Sequence, residues 1–346
     1  TIDYVYTFTN LNKVTTSSGS DATYTTVPRE IDASIVGKNY HVIVIANADD
    51  MTSRCKGKIS EVRDLQMSKV CTRDADITNF SNFIMSSKTD AMIDFTKEGS
   101  ETDPYVVNVD IERLAARIDI IPNATYVDTD KGYYYNVMDG TNVVGGFKLE
   151  SVTPTKVMTS GEYLIKRVSS DNTVSSVTYF GVEAKNADNK ATNYVVCPWT
   201  KDRTGLTLSN AEGPTSLYNV KMTTSTNTTD PSYILDYVME NTTTDNAEDY
   251  STGLIFKGKY YEETEWDATK KQPKAGFTGT DKKYTYTLRH SDPSGSGTTA
   301  DPMHFGVVRN NIYQVKVEGV EGKSKGIKLT ILVVPWAHYD HGEVIY

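Results

Sequence analysis

Residues 105–121 read YVVNVDIERLAARIDII. The apolar positions are at first odd, Val107, Val109 and Ile111; after Arg113 they are even, Leu114, Ala116, Ile118 and Ile120. Strand side chains alternate with a period of two, so a change of parity turns one set to the opposite face. A single regular strand lying on one core is thereby excluded. Either a β-bulge absorbs the slip, or the chain leaves one core near Glu112 and enters another. The second reading is preferred, because a first domain of about 110 residues is an ordinary size.

The segments on either side carry the same kind of pattern. The opening TIDYVYTFTN sets Ile2, Tyr4, Tyr6 and Phe8 on one face and reads as a half-buried strand, while YHVIVIAN at 40–47 reads as a strand inside a sheet. In GKISEVRDLQM, Ile59, Val62 and Leu65 are spaced for one short amphipathic helix. Beyond residue 121, GGFKLESV, GEYLIKRV, VSSVTYFGV, NYVVCPW, TGLIFKGKYY and KKYTYTLRH are short strands between turn-rich polar stretches. The intervals 200–230, 239–251 and 290–302 read as long surface loops. FGVVRNNIYQVKVEGV and KGIKLTILVVPW form a last hairpin-like pair, with Tyr313, Val315 and Val317 inward on one strand and Ile327, Leu329, Ile331 and Val333 on the other. With 23 Tyr in 346 residues and abundant β-branched side chains, the fold class is all-β.

A net charge of −9 argues against nucleic acid or an anionic membrane as partner, since both require clustered Lys and Arg. No apolar run reaches the length of about 18 residues that a membrane helix needs. No secretory leader opens the chain, so the signal of an exported protein is expected to have been removed already. The three cysteines, Cys55, Cys71 and Cys197, have no zinc-ligand spacing. Cys55 and Cys71 flank the helical segment, either as a disulfide in an oxidising compartment or as two small buried apolar side chains.

The chemistry that can be read is sparse. The five His lie in no metal pattern; His338 and His341, on a strand, point to opposite faces. Asp128, Asp130 and Gly132 form only part of a calcium loop and read as a turn. Glu262, Glu263, Glu265 and Asp267 surround Trp266 as a glycosidase site would, or as a solvated loop would. No P-loop, GxGxxG or GxSxG occurs, and the chain is expected to be neither an enzyme nor a cofactor binder.

The segments HVIVIANADDM, GKISEVRDL, VDIERLAARIDI, VVRNNIYQVKVEGVEG and LTILVVPWAHYDHGEVIY, taken in order, resemble the Bacteroidales major fimbrillins, the type V pilins. The resemblance implies two transthyretin-like β-sandwich domains, 1–112 (with the short helix) and 113–336, followed by a C-terminal donor strand, 337–346. It implies a structural shaft subunit of a cell-surface fimbria, exported through the outer membrane as a lipoprotein precursor and tied to the membrane only through that lipidated form. Protease removal of an N-terminal strand would open a groove, which the last strand of a neighbouring subunit fills.

On that reading Thr1 is the mature N-terminus and Ile2, Tyr4, Tyr6 and Phe8 edge the acceptor groove. The donor is Ala337, His338, Tyr339, Asp340, His341, Gly342, Glu343, Val344, Ile345 and Tyr346; either the face of Ala337, Tyr339 and Ile345, which is preferred, or that of Trp336, Val344 and Tyr346 is inserted, and neither is a clean apolar ladder. Pro335, which lacks the N–H of a central ladder, marks where the chain leaves its own sheet. The implied partners are identical subunits arranged head to tail, fimbrial anchor and tip subunits, and host or bacterial surface receptors. The alternative is a surface glycan- or protein-binding module such as a fimbrial tip adhesin.

Overall fold

The strand Ile111–Arg113 pairs antiparallel with Met85–Ser87, whereas Ala115–Ile121, one residue further on, pairs with Tyr233–Met239 and Asn311–Glu321. The change of parity falls where the chain passes from one sheet to another. It does so in a computed structural model that describes residues 2–9, 11–14, 23–31, 33–57, 65–73, 80–87, 91–96, 99–124, 126–127, 132–163, 220–221, 232–242, 251–290 and 306–336. The fold is nearly all β.

The principal strands are β1 (Asn39–Val42), β2 (Ile45–Ala46), β3 (Thr72–Arg73), β4 (Phe80–Ser81), β5 (Met85–Ser87), β6 (Ala91–Asp94), β7 (Ile111–Arg113) and β8 (Ala115–Ile121). They continue with β9 (Gly132–Asp139), β10 (Asn142–Thr155), β11 (Tyr233–Met239), β12 (Gly253–Glu262), β13 (Thr280–Thr287), β14 (Asn311–Glu321) and β15 (Gly326–Pro335). Before residue 114 the sheets are small: β7-β5-β2, β1-β6 and β3-β4. After it, one sheet runs β11-β8-β14-β9-β10-β12-β13, with β15 on β14.

In that large sheet β14 runs parallel to β8 through Ile312–Lys316 and ends parallel to β9 at Val320 and Glu321. Strands distant in sheet order supply one buried cluster: Ile118 and Ile120 of β8, Tyr313 and Val315 of β14, Phe147 and Leu149 of β10, and Phe256 of β12. The sheet therefore closes over its own interior. Each such side chain contributes about 1.5–3 kcal/mol by leaving water. β12 approaches β10 closely at Gly258, where a Cβ would lie 1.8 Å from the Lys148 carbonyl oxygen. The register of the terminal pair is as expected, Tyr313 opposite Val333, Val315 opposite Ile331 and Val317 opposite Leu329.

Two expected strands differ. Residues 40–47 are broken after Val42: β1 pairs with β6 and β2 with β5. Residues 2–8 belong to no ladder; apart from one backbone bond, Ile2 N–H to the Gly57 carbonyl at 2.9 Å, they make side-chain contacts, Tyr4 stacked on Tyr6 and edge-on to Tyr40, and Arg29 over Phe8. Alternation was present, but side-chain contacts took the place of ladder bonds. The expected helix lies mostly in residues 58–64, outside the described residues, as do Cys197, Asp128, Asp130, Thr1 and 337–346.

Candidate assembly surface

The seat of Trp336 is built by the turn between Val308 and Tyr313. Asn310 takes a left-handed φ of 58°, which Asn tolerates better than most side chains. That conformation lets its N–H donate to the Ala115 carbonyl at 2.7 Å and its carbonyl accept from the Trp336 N–H at 3.0 Å. Asn311 Nδ2 donates to the carbonyls of Val308 and Arg309, and the Val308 N–H donates to Tyr313 Oη at 2.7 Å. The buried Arg309 pairs through Nε with Glu240 Oε2 at 3.3 Å and through Nη1 with the Tyr163 carbonyl at 3.0 Å. Arg309, Asn310, Asn311 and Tyr313 of RNNIY thus satisfy buried polar groups, which would otherwise cost about 1–3 kcal/mol apiece, while Ile312 joins the apolar cluster.

Trp336 occupies this seat with little exposure. Its ring stacks on Tyr237 at 5.3 Å and meets Phe83 edge-on at 5.4 Å, and the Arg113 guanidinium lies 4.7 Å from its centroid. The surrounding cluster draws Met67, Val70, Cys71 and Ile84 from before residue 112, and Leu114, Met158, Tyr237 and Ile312 from after it. The point from which residues 337–346 continue is therefore fixed against both parts of the chain.

A different surface lies toward the N-terminus. Among the described residues, twelve large apolar side chains are exposed, and eight of them come from residues 2–36: Tyr4, Val5, Tyr6, Leu11, Val14, Tyr24, Val27 and Val36. Over residues 2–66 only Ile35 is buried among those described. Scattered exposed apolar residues are normal; here two thirds of those exposed among the described residues fall within one short stretch of chain. Of the expected groove residues, Ile2 and Phe8 are half-buried, and Tyr4 and Tyr6 are 39% and 41% exposed.

At Cys55 and Cys71 and at Trp266, each given two readings from the sequence, the structural reading is the one observed. Cys55 and Cys71 are not joined; both lie in the apolar cluster around Trp336, and burial pushes the Cys71 thiol up to about 11. Trp266 is no sugar platform: it is buried, packed between Tyr134 and Tyr261 over Gly146, with Nε1 donating to Asn136 Oδ1 at 2.7 Å. The neighbouring carboxylates hold a turn. Glu265 Oε2 accepts from the Glu262 N–H, Asp267 Oδ1 accepts from the N–H groups of Thr269 and Lys270, and Glu262 pairs with Lys323. Among the described residues no three His, Cys, Asp or Glu side chains converge as metal ligands.

The buried pair Arg309–Glu240 and the partly buried pair Arg73–Asp236 were not foreseen. A lone Arg in the apolar run FGVVRNNIY was the available signal for the first. For the second there was none.

No family model matches the chain, and no curated protein does. Solved structures do. A fimbrilin of Porphyromonas gingivalis W83 is 16% identical with a TM-score of 0.41, covering 86% of this chain and 81% of that one. The tip fimbrial protein Mfa3 of Porphyromonas gingivalis is 14% identical with a TM-score of 0.39, covering 85% and 79%. A protein of Parabacteroides distasonis, provisionally assigned to cell adhesion, is 16% identical with a TM-score of 0.45, covering 94% and 88%. Likenesses of this degree assign neither function nor partner.

Proposed function

We propose that this chain is a structural shaft subunit of a cell-surface fimbria, polymerising head to tail by protease-triggered donor-strand exchange. The observation that carries the reading is the concentration of exposed apolar side chains in residues 2–36, beside a segment, 2–8, that has strand alternation without a ladder. A strand laid along such a surface gains main-chain hydrogen bonds and pockets for alternate side chains. The seat of Trp336 supports the donor half, because it anchors the residue that precedes the proposed donor strand. In this reading 1–112 and 113–336 are the two sandwich domains and 337–346 the donor strand. A head-to-tail interface of this kind does not close, and so makes a filament.

The alternative, a surface glycan- or protein-binding module such as a tip adhesin, finds no exposed ring at Trp266, which is buried. Export as a lipoprotein, and anchor and tip subunits as partners, follow from the fimbrial reading. Its direct test is complementation. A fluorescent peptide of residues 337–346 added to a 1–336 truncation should bind saturably and raise Tm, and a peptide with Asp at positions 337, 339 and 345 should do neither. Absence of binding by the native peptide contradicts the proposal.

A further inference from the structure

β7 stands at the edge of its sheet. It pairs with β5 on one side, and among the described residues no strand lies on the other. The chain leading into it, residues 105–110, reads YVVNVD and alternates as a strand does. Tyr105, Val107 and Val109 are half-buried, while Val106, Asn108 and Asp110 are exposed, Val106 by 76%. Yet 105–110 belongs to no ladder, and among the described residues the backbone of 106–110 makes no hydrogen bond. Backbone N–H and C=O groups that leave water without a partner cost free energy, so such an edge is a template for a further strand.

Side chains hold this edge in place. Tyr105 meets Phe95 edge-on at 5.0 Å, and its hydroxyl lies 3.4 Å from Thr96 Oγ1. From Phe95 the contacts run through Tyr40 to Tyr4, so the edge adjoins the exposed apolar stretch of residues 2–36.

The far end of the edge indicates what covers it. Arg113, the last residue of β7, sets its guanidinium 4.7 Å from the Trp336 ring centroid, and Asn310 bridges the Ala115 carbonyl to the Trp336 N–H. Residues 337–346 therefore begin next to where the edge ends. Ten extended residues span about 33 Å, against about 30 Å for 105–113. A segment tethered so closely acts at an effective concentration of about 1 mM, so in protein at about 1 μM its own edge is favoured over a neighbour's by about a thousandfold.

We infer that residues 105–110 form an acceptor edge that the chain's own residues 337–346 occupy in the monomer, an autoinhibitory contact that opens before those residues pass to a second subunit. Passing them on is then a strand swap, in which the same ladder forms between copies. Closure within the chain slows that swap without preventing it. The docking needs no filament; its part in assembly rests on the proposed shaft function.

The test compares amide exchange in the 1–346 and 1–336 chains, each taken as the gel-filtered monomer over a series of dilutions. The truncation keeps Trp336 and its seat. Residues 106–110 should exchange about tenfold or more slowly in 1–346 than in 1–336, by the same factor at every dilution. A synthetic 337–346 peptide should protect the same amides in 1–336 and bind 1–346 about tenfold or more weakly, because the tethered copy competes. Equal exchange of 106–110 in the two chains overturns the inference. So does protection that disappears on dilution, which gives the edge to a neighbour's residues 337–346, and so does a peptide that binds both chains equally or protects other amides. A peptide that binds neither chain, with the protection of 106–110 in 1–346 retained, contradicts the shaft function and leaves the closure within the chain standing.

Discussion

Trp336 lies on Tyr237 with ring centroids 5.3 Å apart and planes 18° from parallel. The contact joins the last described residue to a strand, β11, nearly a hundred positions earlier, and Phe83 of the N-terminal part closes the same pocket. Trp336→Ala should cost about 3–5 kcal/mol in denaturant unfolding, the range for a buried aromatic truncated to Ala. Trp336→Phe should recover part of that. A cost near zero for the Ala variant would show that the ring is not an anchor.

Arg309 and Glu240 are each only 2% exposed at the side chain and pair at 3.3 Å. Removing one partner strands the other charge. Arg309→Met should therefore destabilise by about 3–5 kcal/mol, and the double variant with Glu240→Leu by clearly less. Urea midpoints of the wild type and these two variants measure this; a double variant no better than Arg309→Met contradicts the pairing.

The pH dependence of stability follows from Asp236, whose pKa in the folded chain is raised from 3.8 to about 7. Between those values the folded state binds more protons than the unfolded one. The contribution of Asp236 to stability is therefore full below about 3.8, declines as pH rises toward 7 and is constant above. The Tm of the wild type relative to Asp236→Asn should fall across that window. A relative Tm that rises with pH would give the opposite sign.

Gly258 stands opposite Leu149 beside a register shift in β10. Any Cβ there meets the Lys148 carbonyl, a backbone group that cannot swing away. Gly258→Ala should lower stability more than Gly140→Ala, whose added Cβ meets nothing within 4 Å although its φ of 60° makes it strained. Urea unfolding of the two variants compares them.

What could be read in the sequence were relations between near neighbours. The parity change between Ile111 and Leu114 located the passage between sheets, and alternation in 313–317 and 327–333 gave the faces of the terminal hairpin. Alternation reports a face, not a partner, which is why residues 2–8 were expected as a strand and lie without a ladder. The RNNIY turn was recognisable as a motif, but its work depends on Ala115, Tyr163 and Glu240, far away in the chain. Arg73 reaches a carbonyl 164 residues on, a contact that no local pattern encodes. Trp266 beside four carboxylates looked like a site because its cover, Gly146 and Tyr134, lies more than a hundred residues earlier.

Electron microscopy of the 1–346 chain, which begins at the proposed mature N-terminus Thr1, beside a 1–336 truncation tests the assembly proposal most directly. The 1–346 chain is expected to form filaments without further digestion, and the truncation to remain a folded monomer. Filaments of normal length from the truncation would contradict the account.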